Sequence, residues 1–219
     1  MATSSPSTVE AAQNTKARRS QREARPLRVD QARLSHLLPP QGEWTADDYL
    51  WLTRGTNHLV EWADGWIEVL PMPTDSHQAI LGYLFRALFD WLSPQGGIIR
   101  FSALKVRLDE RRFREPDLLV LLDPHDPRRA NDFWLGADLV AEILSPSNAD
   151  HDLVTKRAEY AQAGIPEYWI VDPDGETLTV LTLDGASYRE HGRFVRGDTT
   201  TSPLLPGLAV AVDEVFDAP

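Results

Sequence analysis

The chain has 219 residues, a formal net charge of −11 and no cysteine. That length suffices for one domain with a sizeable core, and the missing thiols exclude disulfides, zinc–thiolate centres and cysteine nucleophiles. Its longest unbroken apolar runs, about five residues, fall far short of the roughly 20 that a membrane span needs.

Residues 1–40 are rich in Ser, Thr, Ala, Arg and Gln, have little to bury, and end at Pro39-Pro40. They are expected to form a disordered basic arm. Up to residue 33 the arm holds seven basic side chains against three acids, a balance of +4 that leaves −15 for the rest. A phosphate-tracking role for the arm is an alternative to a plain linker. No apolar signal-peptide stretch opens the chain, and the expected location is cytoplasmic. Residues 41–219 read as a single domain.

Thr45 followed by Asp48 approximates a capping box and opens a short helix carrying Tyr49, Leu50 and Leu52. Two short strands follow, His58–Trp62 and Trp66–Leu70, joined by the hairpin signal Asp64-Gly65. A longer helix is predicted from about Asp75 to Leu92, capped by Asp75 or Ser76, with Ile80, Leu81, Leu84, Phe85, Leu88 and Leu92 on its buried face. Strands are predicted near 98–102 and 104–108; in the second, Lys105 and Arg107 alternate with apolar residues and read as a solvated face.

Next comes Glu115-Pro116-Asp117, then Leu118–Leu122, apolar on both faces as in a central strand covered on both sides. In residues 138–144 a period of two separates Val140, Glu142 and Leu144 from Leu139, Ala141 and Ile143. A helix is predicted from about Asp150 to Ala163, ended by Gly164, with Asp152, Lys156 and Tyr160 at four-residue steps. Strands Glu167–Asp172 and Thr177–Leu183 follow, and a helix joining 138–144 to 167–172 implies a parallel pair. Further short strands and Pro/Gly turns complete the chain.

The acids stand out. A carboxylate inside a buried strand is costly unless paired or bound to metal. Asp117 opens one such strand, Glu142 lies within the next, and Lys156 follows on a helix; together they can satisfy one another around a hard cation such as Mg²⁺. The plainer alternatives are that Asp117 ends a strand and that Lys156 pairs with Asp152 on the surface.

Glu61 with Asp64-Gly65, His77, Pro116-Asp117, Glu142–Ser147, the Asp152/Lys156/Tyr160 ladder, Gly164–Pro173 and Leu205–Leu208 occur in an order that resembles the PD-(D/E)XK nuclease superfamily. Within it, the chain resembles the Uma-two family of restriction endonucleases. The resemblance implies an α/β (α+β-like) fold, with a restriction-endonuclease-like core, a mixed central sheet flanked by helices, and a β-rich extension. It implies metal ligation by Asp117, Glu142 and the carbonyl of Ile143, with Mg²⁺ as cofactor and Mn²⁺ able to substitute.

The substrate so implied is DNA, double-stranded, cut by a homodimer. The superfamily's usual lysine two residues after the glutamate is replaced by Leu144; Lys156 is the expected substitute. Glu61 and His77 resemble family positions at the edge of the site and complete the expected catalytic set. The alternatives are a nuclease-like fold that binds nucleic acid or protein without cutting, and a hydrolase of small phosphoesters. An acidic body suits either, since affinity for a duplex comes largely from neutralising phosphates.

Overall fold

Two sheets, and the places where the chain crosses between them, set out this fold. The computed structural model describes residues 38–145 and 151–219, so all but the end of the expected arm lies outside the described residues. From Pro40 onward the residues form one unit. Helix α1 (Ala46–Arg54) starts at Thr45, and both reciprocal bonds of the capping box with Asp48 are present. Strands β1 (Val60–Ala63) and β2 (Trp66–Val69) form the hairpin, with Asp64 and Gly65 at φ 50° and 88°. A Cβ on Gly65 would lie 2.4 Å from the Gly42 oxygen, so only glycine lets the incoming chain cross this turn.

Helix α2 (Asp75–Leu92) buries Ile80, Leu81, Leu84, Leu88 and Leu92. Its cap is Thr74, whose hydroxyl accepts from the His77 amide, rather than Asp75 or Ser76. Asp75 instead sits in the first turn, where a carboxylate favours the helix dipole. Five strands follow: β3 (Ile98–Phe101), β4 (Lys105–Asp109), β5 (Arg112–Arg114), β6 (Leu118–Leu121) and β7 (Phe133–Trp134). Next come β8 (Leu139–Ile143), a π-helical turn (His151–Lys156) and α3 (Arg157–Gln162). Strands β9 (Glu167–Asp172), β10 (Thr177–Asp184), β11 (Ser187–Val195), β12 (Thr199–Thr200) and β13 (Val210–Ala211) lead to α4 (Val212–Phe216).

One six-stranded sheet runs β11-β10-β9-β8-β6-β3, with β8 and β9 parallel as the connecting helix implied. A separate five-stranded sheet runs β2-β1-β5-β4-β7. The α+β class agrees with the expectation: the six-stranded sheet is the mixed central sheet flanked by helices, the five-stranded sheet adds further β structure, and β12 and β13 pair as a third, two-stranded sheet. The chain passes from the first sheet to the second over Ser102–Leu104, between β3 and β4, and returns over Glu115–Asp117, between β5 and β6. Pro116 has no N–H to offer a ladder, which suits a crossing between sheets.

The six-stranded sheet is covered on both faces. Leu118, Val120, Leu139, Ala141 and Ile143 pack with the α2 leucines, while Leu119, Leu121, Val140 and Leu144 pack with Tyr160 and Ala161 of α3. The period of two expected for 138–144 therefore separates two real cores.

Candidate active site

The return crossing puts Asp117 at the start of β6 and Glu142 near the end of β8, and both line one cleft of about 370 Å³. Ile143, Leu144, Lys156, His77 and Glu115 line it too. Of the six residues expected at the site, five share this cleft; Glu61 alone does not line it.

Asp117 is held from two sides. Its Oδ2 accepts from the Ile143 amide at 2.8 Å and lies 3.3 Å from His77 Nε2. Burial alone would lower the His77 pKa, but the Asp117 carboxylate and the Ile143 backbone outweigh it and raise it above the usual 6.5. His77 Nδ1 is buried with no hydrogen-bond partner.

Lys156 is buried rather than on the surface, and the side chain of Asp152, its alternative partner, lies outside the described residues. Its Nζ lies 3.1 Å from Glu142 Oε1 and 3.2 Å from Glu61 Oε1. The four-residue step from Lys156 to Tyr160 directs both side chains at the same acid, since the Tyr160 hydroxyl donates to Glu142 Oε1 at 2.6 Å. Glu61, fully buried on β1, stands behind the lysine. Its other oxygen accepts from Arg114 at 3.1 Å, and the Glu115 amide donates to Oε1 at 3.1 Å. Burial pushes the Glu61 carboxyl up, but Lys156 and Arg114 override it and hold it below its usual range. Arg114 also forms a two-pronged pair with Glu159 at 2.7 and 2.8 Å. The five-stranded sheet thereby grips the helix that carries the lysine, through Glu61 and Arg114.

Two participants escaped sequence reasoning. Glu115 lines the cleft, accepts from the Val60 amide at 3.3 Å and lies 3.7 Å from Lys105 Nζ. Burial raises its pKa to about 7 against the pull of Lys105. Lys105 is therefore turned inward to a buried acid, not solvated as its alternating pattern suggested. Arg114 was hidden because Arg-Arg-Phe-Arg is too polar to read as a strand; the arginines are tolerated there because Glu61, Glu159, Asp64 and Asp109 receive them.

The oxygen-rich cleft suits a hard divalent ion. Asp117 Oδ1 has no protein partner among the described residues, and carboxylate and carbonyl oxygens are the donors Mg²⁺ and Mn²⁺ favour. Among the described residues no three His, Cys, Asp or Glu side chains group as a complete metal cage. Mg²⁺ needs none, because it keeps several waters and takes one or two carboxylates.

Residues 46–213, from α1 into α4, match the sequence pattern of Uma2, described as "Putative restriction endonuclease". The chain belongs to the Uma2 family. The Uma2 match spans every element that contributes to the cleft. No protein of curated function matches the chain. A crystal structure of "a putative nuclease belonging to DUF820" from Anabaena variabilis is similar, with a TM-score of 0.66 and 22% identity over 79% of this chain and 97% of that one. At that identity the likeness establishes the fold. No described helix of this Uma2 protein is long and apolar enough to cross a membrane.

Proposed function

We propose that this protein is a metal-dependent endonuclease that hydrolyses phosphodiester bonds of double-stranded DNA. The observation that carries the reading is the position of Lys156 Nζ, 3.1 Å from Glu142 in the cleft that Asp117 also lines. A buried ammonium set against an acid that faces a cleft is a donor aimed at charge developing on an oxygen. Asp117, Glu142 and the Ile143 carbonyl would hold Mg²⁺ or Mn²⁺. The bound ion supplies Lewis acidity toward water and the phosphate.

The chain's own groups do the positioning. The Ile143 amide and His77 orient the Asp117 carboxylate. The Tyr160 hydroxyl donates to Glu142 Oε1 and so fixes the orientation of its carboxyl group. Glu61 and Arg114 fix Lys156 so that its ammonium loses little further freedom when substrate enters. Leu144, buried where the superfamily places its lysine, leaves that function to Lys156. Cutting both strands calls for two such sites, hence a homodimer, and the reading places the protein in the cytoplasm.

The direct experiment offers supercoiled plasmid, linear single strand and a small phosphodiester to the full chain, with Mg²⁺, Mn²⁺ or EDTA. Nicking and linearisation that EDTA stops is the expected result. Turnover of the small ester alone would replace the reading with a small-phosphoester hydrolase. DNA binding without cleavage in either metal would replace it with a binding module.

A further inference from the structure

The cleft has a second wall that the chemistry above does not use. Opposite in character to the acids and the lysine, it is built from Leu59, Leu70 and the Pro71-Met72-Pro73 turn. Leu59 and Leu70 are tied together by a bond from the Leu70 amide to the Leu59 carbonyl at 2.9 Å. At the tip, Met72 is 69% exposed. Met72 is thus an unbranched apolar side chain left mostly in water at the rim of the cleft. The prolines on either side have restricted φ and no N–H, and Thr74, next in the chain, caps α2. The segment is thus restricted in its backbone and runs directly into the helix that carries His77.

We propose that the Pro71-Met72-Pro73 turn is a base-unstacking wedge, and that the apolar wall receives the base beside the phosphate held at Asp117, Glu142 and Lys156. The proposal rests on the nuclease reading and deepens it. A nucleotide is charged at its phosphate and apolar on its base faces, the same division the cleft shows. Met and Pro are among the side chains that enter base steps and unstack them. Contact with a base face depends little on sequence, because every base presents one. The role assigned to Met72 is to open a duplex locally so that one backbone phosphate can descend to the acids.

The test compares the full chain with Met72→Ala and Met72→Leu on two substrates of one sequence, an intact duplex and the same duplex with a central mismatched bubble, in Mg²⁺. A bubble has already lost the stacking that a wedge must break. Expected for Met72→Ala is a loss of roughly tenfold or more in kcat/KM on the intact duplex and little change on the bubble, with Met72→Leu close to wild type on both. Equal losses on the two substrates, or none on either, would overturn the wedge while leaving the nuclease reading intact. A Met72→Ala change in sedimenting mass with equal rate losses would mark the wall as a contact between copies, and also overturns it. Cleavage of neither substrate by wild type removes the underlying reading and the wedge with it.

Discussion

Two glutamates sit one strand apart in the six-stranded sheet, Glu142 on β8 and Glu167 on β9, and both are buried, 4% and 1% exposed. Their partners differ in kind. Glu167 takes only neutral donors: Trp169 Nε1 at 2.7 Å, the Ser202 hydroxyl at 2.6 Å and the Leu204 amide at 3.1 Å. It lines no part of the acidic cleft, and it fastens the 202–205 turn to the sheet. Glu142 takes an ammonium and a phenol and faces the cleft. Burial alone therefore does not set the two acids apart. The partner's charge and the access to a cleft do.

The sharpest break in that comparison comes from another acid of the cleft, Asp117. Asp117→Asn keeps the shape and should abolish both cleavage and Mn²⁺ binding, read by plasmid assay and calorimetric titration, because a hard cation loses an anionic donor. Unchanged Mn²⁺ affinity would take Asp117 out of the site. Next in size is Lys156→Met, expected to retain Mn²⁺ binding yet lose about 10²-fold in rate, the scale for one aimed donor. It also leaves Glu61 and Glu142 without their shared cation, so its melting temperature should fall. Leu144→Lys in that background should recover part of the rate, since Leu144 also lines the cleft. No loss of rate in Lys156→Met would end its catalytic assignment.

Much of this was legible in the sequence. The apolar run 118–122 announced a strand covered on both sides, and the alternation of 139–144 separated two cores because each face meets its own helix. Lys156, expected on the segment after β8 as the substitute for the displaced lysine, lies 3.1 Å from Glu142. What could not be read was which acids have their charge answered across the two sheets. Glu61 was legible at the edge of the site, but its pairing with Arg114, more than fifty residues away, was not. Lys105 looked solvated for the same reason: its partner Glu115 lies on a separate crossing segment. Pairings of that kind are set by tertiary contact, which local periodicity does not carry.

A smaller effect comes from the neutral-donor site. Glu167→Gln sets an amide N–H₂ against donors that now meet carboxylate oxygens, and should cost on the order of 1–3 kcal/mol in urea melts. A stability change below measurement would mean that the 202–205 turn is held by other contacts.

The most subtle difference concerns pH in EDTA. Glu115 is raised from 4.5 to about 7 in the folded protein. Between those values the unfolded chain ionises this group while the folded chain keeps its proton, so stability should fall as pH rises through the window, by on the order of 3 kcal/mol at most. His77, raised above 6.5, adds a decline in the same direction at higher pH, so the contrast with Glu115→Gln isolates the carboxyl. The variant's stability should fall less from pH 4.5 to 7, and parallel curves for the two proteins would contradict the raised Glu115.

The central claim is that Glu142 performs chemistry where Glu167 performs support. Its most direct test is plasmid cleavage in Mg²⁺ by wild type, Glu142→Gln and Glu167→Gln, each assayed at a temperature where circular dichroism shows it folded. The account predicts that Glu142→Gln is folded and inactive, and that Glu167→Gln cuts at near the wild-type rate despite its lower melting temperature. Cleavage by folded Glu142→Gln at the wild-type rate would contradict it.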